Sequence, residues 1–151
     1  MIDLRADVRD PAIDVRRLKS TGRKLLRSAG LPTGEISLLL TGDAEVRELN
    51  RVHRGKDKAT DVLSFPAQSI MPGSGQVADA TFLGDIAISL DTARRQAAEY
   101  DAPLQSEVNR LLIHGLLHLL GHDHHEAAER AAMESEERRL AAAIAMPWPY
   151  D

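Results

Sequence analysis

Alternating and helical hydrophobic periods succeed one another along the chain. Ile2 to Val8 alternates apolar and polar residues, the period of a half-buried strand. From Pro11 to Ala29 the apolar positions Ile13, Val15, Leu18, Leu25 and Leu26 mark one face of a helix, with Gly22 its weak point and Gly30 and Pro32 its stop. Glu35 to Thr41 (EISLLLT) is a short apolar strand. Asp43 is placed to cap a helix running to about Val52, with Val46 and Leu49 inward. Thr60 to Phe65 and Leu83 to Leu90 read as two more strands, the first stopped by Pro66, and Asp91 as the cap of a helix to Tyr100. Pro103 to Leu120 shows little polar face and predicts a buried central helix. Glu126 to Ile144 is Ala-rich, with an acidic outer face, and the tail MPWPY is expected to be extended. Between them residues 67 to 80 cluster Pro, Gly and Ser without a period and read as a mobile loop. Strands and helices come mixed at first, then helices alone, so the expected architecture is α+β. Neither a repeat nor a second domain is visible, and residues 1–151 are expected to form one domain.

Composition adds an exclusion. The chain has 43% hydrophobic and 28% charged residues, and no cysteine. Disulfides and thiolate ligands are excluded, so any metal must be held by His, Asp or Glu. No apolar run reaches the ~20 residues of a membrane span. The N-terminal ten residues lack the apolar core of a signal peptide, and a cytoplasmic location is expected.

The net charge of −4 conceals an asymmetry. Residues 1–60 carry +4 and the remainder −8. Arg16, Arg17, Lys19, Arg23, Lys24 and Arg27 follow one another with no acid between Val15 and Gly34, and a second basic group runs from Arg47 to Lys58. Such patches either contact a polyanion or are solvated helix faces.

The chemistry is concentrated in HGLLHLLGHDHH, His114 to His125. His114 and His118 lie one helical turn apart and can turn two imidazoles toward one ion. Gly121 stands where a helix ends in a left-handed residue, so the chain can fold back and bring His124 to the same ion. Three imidazoles leave one position open for water on a tetrahedral zinc. His122 and His125 compete for the third place. Asp123 is either an acceptor that fixes an imidazole tautomer or a turn residue. The spacing is that of metzincin peptidases, which carry their glutamate base directly after the first His; here that residue is Gly115, which disfavours peptide hydrolysis.

HGLLHLLGHDH resembles the signature of the YbeY family of bacterial metal-dependent endoribonucleases. Glu48 to Pro66 (ELNRVHRGKDKATDVLSFP) resembles a second block of that family and Phe82 to Ser89 (FLGDIAIS) a third, in the same order. His122 stands where the family often has Tyr, and Gln68 to Ala80 is a variable segment. The resemblance implies a small mixed sheet of about four strands packed with helices, the buried central helix carrying the histidines. It implies one Zn²⁺ per chain held by His114, His118 and His124. It also implies a functional arginine, Arg54, in a cleft beside the metal, so that Arg54 and His114 are the catalytic residues. The implied activity is single-strand-specific RNA cleavage in ribosomal RNA maturation, including the 3′ end of the small-subunit RNA, and ribosome quality control. The implied partners are ribosomal RNA and ribosomal particles, with ribosomal or assembly proteins possible and no membrane.

Arginine suits such a role because its planar fork binds two phosphate oxygens at once. Read without the family, Arg54 is rather an exposed loop cation or a partner for Asp57 or Asp61 than a catalytic residue. Lys56 and Lys58 are phosphate contacts or solvated residues. Thr60, Asp61 and Ser64 shape the cleft, unless Asp61 caps the turn before the strand. Gly84 and Asp85 either bring a strand edge close to the site or form a structural bulge. Two other functions stay open: a metal-dependent hydrolase or peptidase using a base such as Asp85, and a non-catalytic assembly factor with a structural metal. The nucleophile, a metal-activated hydroxide or a substrate 2′-hydroxyl, stays open too, as does the metal, since three histidines also suit nickel, cobalt or copper.

Overall fold

A computed structural model describes residues 1–67 and 82–148 of the chain. The expected loop at Gln68 to Ala80 and the last residues of the tail lie outside them. Five helices and four strands follow in the order β1 (Ile2–Ala6), α1 (Val15–Ser28), β2 (Glu35–Thr41), α2 (Asp43–Arg54), β3 (Val62–Pro66), β4 (Phe82–Ser89), α3 (Leu90–Glu99), α4 (Leu104–Leu119) and α5 (Ala127–Ala143). The fold is α+β. The strands form one mixed sheet in the order β1-β2-β4-β3, with β1, β2 and β4 parallel and β3 antiparallel to β4.

Strand alternation sorts the side chains between two faces. Ile2, Ile36, Leu38, Leu40, Ile86 and Ile88 point to one face and share a buried core with Leu18, Leu25 and Leu26 of α1 and Leu111, Leu112 and Leu116 of α4. The other face carries a smaller cluster, in which Val46 of α2 packs on Leu63 and Ala87. The remainder of that face is a groove of about 590 Å³, lined in part by Asp3, Arg5, Ser37 and Asp85. α4 is the buried central helix that its apolar run predicts: Val108, Leu111, Leu112, Ile113 and Leu119 are all fully buried. Met146, expected in an extended tail, folds back into this core.

The helix caps differ from the expectation. Gly42, not Asp43, is the N-cap of α2, and Ser89, not Asp91, is the N-cap of α3. The two aspartates serve each other's helix instead. The Asp91 carboxylate accepts the Asp43 backbone N–H at 2.9 Å, while the Asp43 carboxylate accepts the hydroxyls of Ser89 (2.6 Å) and Thr92 (2.7 Å) and an Arg95 N–H (2.8 Å). Burial pushes the Asp43 carboxyl up, but these donors outweigh it and hold it below its ordinary value. The first turn of α2 thereby gains an acceptor across the α2–α3 contact, while that of α3 keeps its own cap, the Ser89 hydroxyl that accepts the Thr92 N–H at 3.3 Å and donates to Asp43; sequence position alone does not reveal this.

Gly84 sits at an irregularity in the β2–β4 register, with a φ of 147°. A Cβ there would lie 2.3 Å from the Phe65 carbonyl oxygen and 2.8 Å from Leu119 Cδ2. The bulge reading fits this glycine, whose missing side chain lets β3 and the end of α4 close on β4.

Candidate metal centre

The last turn of α4 builds the centre. Leu120 is its C-cap; the Gly121 N–H then donates to His118 O (3.1 Å) and the His122 N–H to Leu117 O (3.0 Å), with Gly121 at φ 92°. This is the paired bonding of a Schellman ending, which needs a left-handed residue after the cap. The chain reverses, and Asp123 fixes the new direction by accepting the His124 backbone N–H at 2.7 Å. His124 thus comes to lie over the two helical histidines.

The imidazole centroids of His114 and His118 are 4.6 Å apart, those of His118 and His124 5.4 Å, and those of His114 and His124 6.0 Å. One ring nitrogen from each lies within 4.8 Å of the other two, and the Nε2 atoms of His114 and His118 are 3.0 Å apart. Tetrahedral ligands ~2.0–2.1 Å from a zinc ion are roughly 3.3 Å from one another, so the three donors need only small movements to hold a metal ion. Among the described residues this is the one such cluster, and neither His122 nor His125 belongs to it. His125 instead approaches Asp123, its Nε2 3.3 Å from the carboxylate. Burial, then the neighbouring His114 and His124 imidazoles, push His118 down from 6.5 to about 4. The ring is therefore neutral at physiological pH, the form in which an imidazole binds metal.

Behind His114 lies a feature that the sequence does not announce. Glu137 of α5 is buried, and its Oε1 is 3.7 Å from His114 Nδ1. The carboxylate favours the tautomer with the proton on Nδ1, which leaves the Nε2 lone pair facing the other histidines. Asp123, the sequence's candidate for such a role, accepts the His124 backbone N–H and faces His125, and its Oδ1 also lies 4.0 Å from His124 Nδ1.

All three histidines open onto a cleft of about 500 Å³ whose other wall comes from the end of α2, the connection after it and β3: Arg54, Lys56, Lys58, Thr60, Asp61 and Ser64. α2 stops here because Gly55 adopts a left-handed φ of 69°. Arg54, the last residue of α2, donates from Nη2 to the Ser64 carbonyl oxygen (2.5 Å), and its guanidinium carbon sits 5.6 Å from the Phe65 ring centroid. It pairs with neither suggested aspartate. Asp57 is taken by Arg47 (2.8 Å), and Asp61 accepts the Val62 N–H (2.7 Å) and Gln96 Nε2 (3.3 Å), with Arg110 3.9 Å away. Among the described residues, most of the five donors of the fork are left for a ligand.

Gly115 and Asp85 both lie away from this cleft. Gly115 faces the sheet: a Cβ there would meet Ile86 Cγ2 at 3.0 Å and Ser64 Oγ at 3.2 Å. Its carbonyl accepts the Ser64 hydroxyl at 3.1 Å. The position that carries a catalytic glutamate in zinc peptidases is here a close approach of α4 to β3 and β4. Asp85 points to the opposite face of the sheet and lines the groove there, so it cannot act as a base beside the histidines.

Residues 6–145 match the family model described as endoribonuclease YbeY. Proteins named endoribonuclease YbeY from Anaeromyxobacter sp. (strain Fw109-5) and Myxococcus xanthus are each 49% identical to the chain, over 85% and 84% of its length. A third, from Anaeromyxobacter dehalogenans, is 43% identical over 95% of the chain and 71% of its own length. The chain spans 64% and 42% of the first two relatives. The solution structure of a Thermotoga maritima protein shares the fold, with a TM-score of 0.59 at 22% identity over 94% of this chain and 90% of that one.

Proposed function

The chain belongs to the YbeY endoribonuclease family, and from that premise we propose that it is a metal-dependent endoribonuclease with single-strand specificity. Residues 1–151 form one domain of a cytoplasmic enzyme of ribosomal RNA maturation, including the 3′ end of the small-subunit RNA, and of ribosome quality control. Ribosomal RNA and ribosomal particles are its partners. One observation carries the reading: a cluster of three histidines and an arginine with spare donors open onto the same cleft.

His114, His118 and His124 are the metal ligands, and the all-imidazole donor set suits Zn²⁺. When bound, the ion supplies positive charge and lowers the pKa of water. Arg54, held by Ser64 O and Phe65, presents its remaining N–H groups to a phosphodiester and stabilises the charge that builds up on it. Lys56 and Lys58 add positive charge along the same wall. Peptide hydrolysis lacks support, because Gly115 is packed against the sheet and Asp85 lies on its far face.

The test is incubation with single-stranded and structured ribosomal RNA, with and without a chelator, beside a His114→Ala/His118→Ala variant. Cleavage is expected only for the metal-loaded wild-type protein. Cleavage that persists in the double variant would sink the catalytic claim. A purely structural metal would show itself differently, by loss of the far-UV circular dichroism spectrum on chelation.

A further inference from the structure

The sequence marks two basic groups, and the structure separates them. On α2, Arg47 is paired with Asp57 and Arg51 with Glu48. On α1 no side chain of Arg16, Arg17, Lys19, Arg23, Lys24 and Arg27 engages an acid among the described residues; the Asp14 carboxylate takes only the Arg17 backbone N–H. All but half-buried Lys19 are exposed. At 100° per residue they fall within an arc of about 160°, opposite the buried Leu18, Gly22, Leu25 and Leu26. Like charges three and four positions apart destabilise a helix, so this face carries a cost that nearby acids relieve elsewhere in the protein. Arg94, Arg95 and Arg139 each have an aspartate or glutamate within 2.8 Å.

α1 packs beside β1, the sheet edge opposite β3, which borders the metal cleft. Three strand spacings, about 14 Å, separate the two edges. We propose that the exposed face of α1 is a second RNA-binding surface, which grips the phosphate backbone of structured RNA away from the strand in the cleft. This rests on the nuclease reading above. An anionic membrane is the competing polyanion, but a helix that lies on a membrane inserts an apolar face, and that of α1 is spent in the core. Gripping phosphates needs no apolar surface, is indifferent to sequence, and neutralises the uncompensated charge.

The experiment compares the wild-type protein with Arg16→Gln/Arg23→Gln/Lys24→Gln/Arg27→Gln, four exposed changes to residues of good helix propensity. Binding of a long structured ribosomal RNA fragment is measured across salt concentrations, together with cleavage of that fragment and of a short single-stranded oligoribonucleotide. The variant is expected to bind the long RNA on the order of 10- to 100-fold more weakly at low salt. Its slope of log affinity against log salt should be shallower by about three to four units. Cleavage of the short oligonucleotide should be unchanged. Equal affinity and slope for the two proteins overturn the inference. So does loss of binding to phosphatidylserine vesicles with RNA binding intact. If the wild-type protein binds the long RNA through α1 yet cuts neither RNA, this inference stands and the nuclease reading falls.

Discussion

The hydroxyl of Ser64 donates to the carbonyl oxygen of Gly115 at 3.1 Å, and so ties β3 to the helix that carries two of the three histidines. Ser64 also offers its own carbonyl to Arg54. One buried residue thus sets the separation between the arginine and the histidines. Gly115 is what allows the approach. Gly115→Ala is expected to destabilise the fold by about 1–3 kcal/mol, as overpacking does, because Ile86 and Ser64 must both give way. Urea denaturation measures this; an unchanged midpoint would show that the gap is slack.

Glu137 should act through His114. Glu137→Leu is expected to weaken metal binding roughly 10- to 100-fold, with Glu137→Gln between it and the wild type, since the amide oxygen still faces Nδ1 but without the charge. Competition with a chromophoric chelator gives the affinities, and the visible spectrum of the cobalt form reports the ligand field. Equal affinities for all three proteins would leave Glu137 with no part in the centre.

The depressed pKa of His118 has a stability consequence. Its folded value is about 4 against an ordinary 6.5. As pH falls, the unfolded chain takes up this proton first, so unfolding is increasingly favoured. The contribution is complete above pH 6.5 and is lost as pH falls toward 4. In metal-free protein, urea midpoints should decline over this window, and less steeply in His118→Gln. Parallel curves for the two proteins would assign the decline to other groups.

Arg54→Ala should lower kcat for RNA by about 10²- to 10³-fold, the usual effect of removing one preorganised donor to developing charge. Arg54→Lys should recover only part of this, because an ammonium cannot hold Ser64 O and a phosphate with one rigid fork. Single-turnover cleavage with saturating enzyme separates the loss from weaker binding. Full activity in Arg54→Ala would remove the residue from the mechanism.

Much of this was legible in the sequence where local chemistry decides. EISLLLT is a strand over the residues expected, the apolar run before Gly121 is the buried helix, and Gly121 turns the chain as its position after that run requires. The histidine cluster follows from helical spacing and that turn. What stayed hidden depends on neighbours remote in the chain. Asp43 and Asp91 each look like the cap of the helix that follows, and only the α2–α3 contact shows that Asp91 accepts from the first residue of α2 while Asp43 holds Ser89, the cap of α3. Glu137 sits among the charges of an acidic helix, and nothing in EERR marks it as the one turned inward. Asp85 adjoins a glycine that does pack near the centre, yet alternation along the strand sends its side chain the other way.

The bonding between α2 and α3 has a reach beyond the helix ends. α2 is anchored to α3 by its first residue and delivers Arg54 by its last, about 18 Å along the axis. It is a strut with its footing remote from the cleft. α3 in turn packs on α4, the helix of His114 and His118. Arginine and histidines therefore share a footing, and a change as distant as Asp43→Ala should alter how well the two halves of the centre are aligned without touching either.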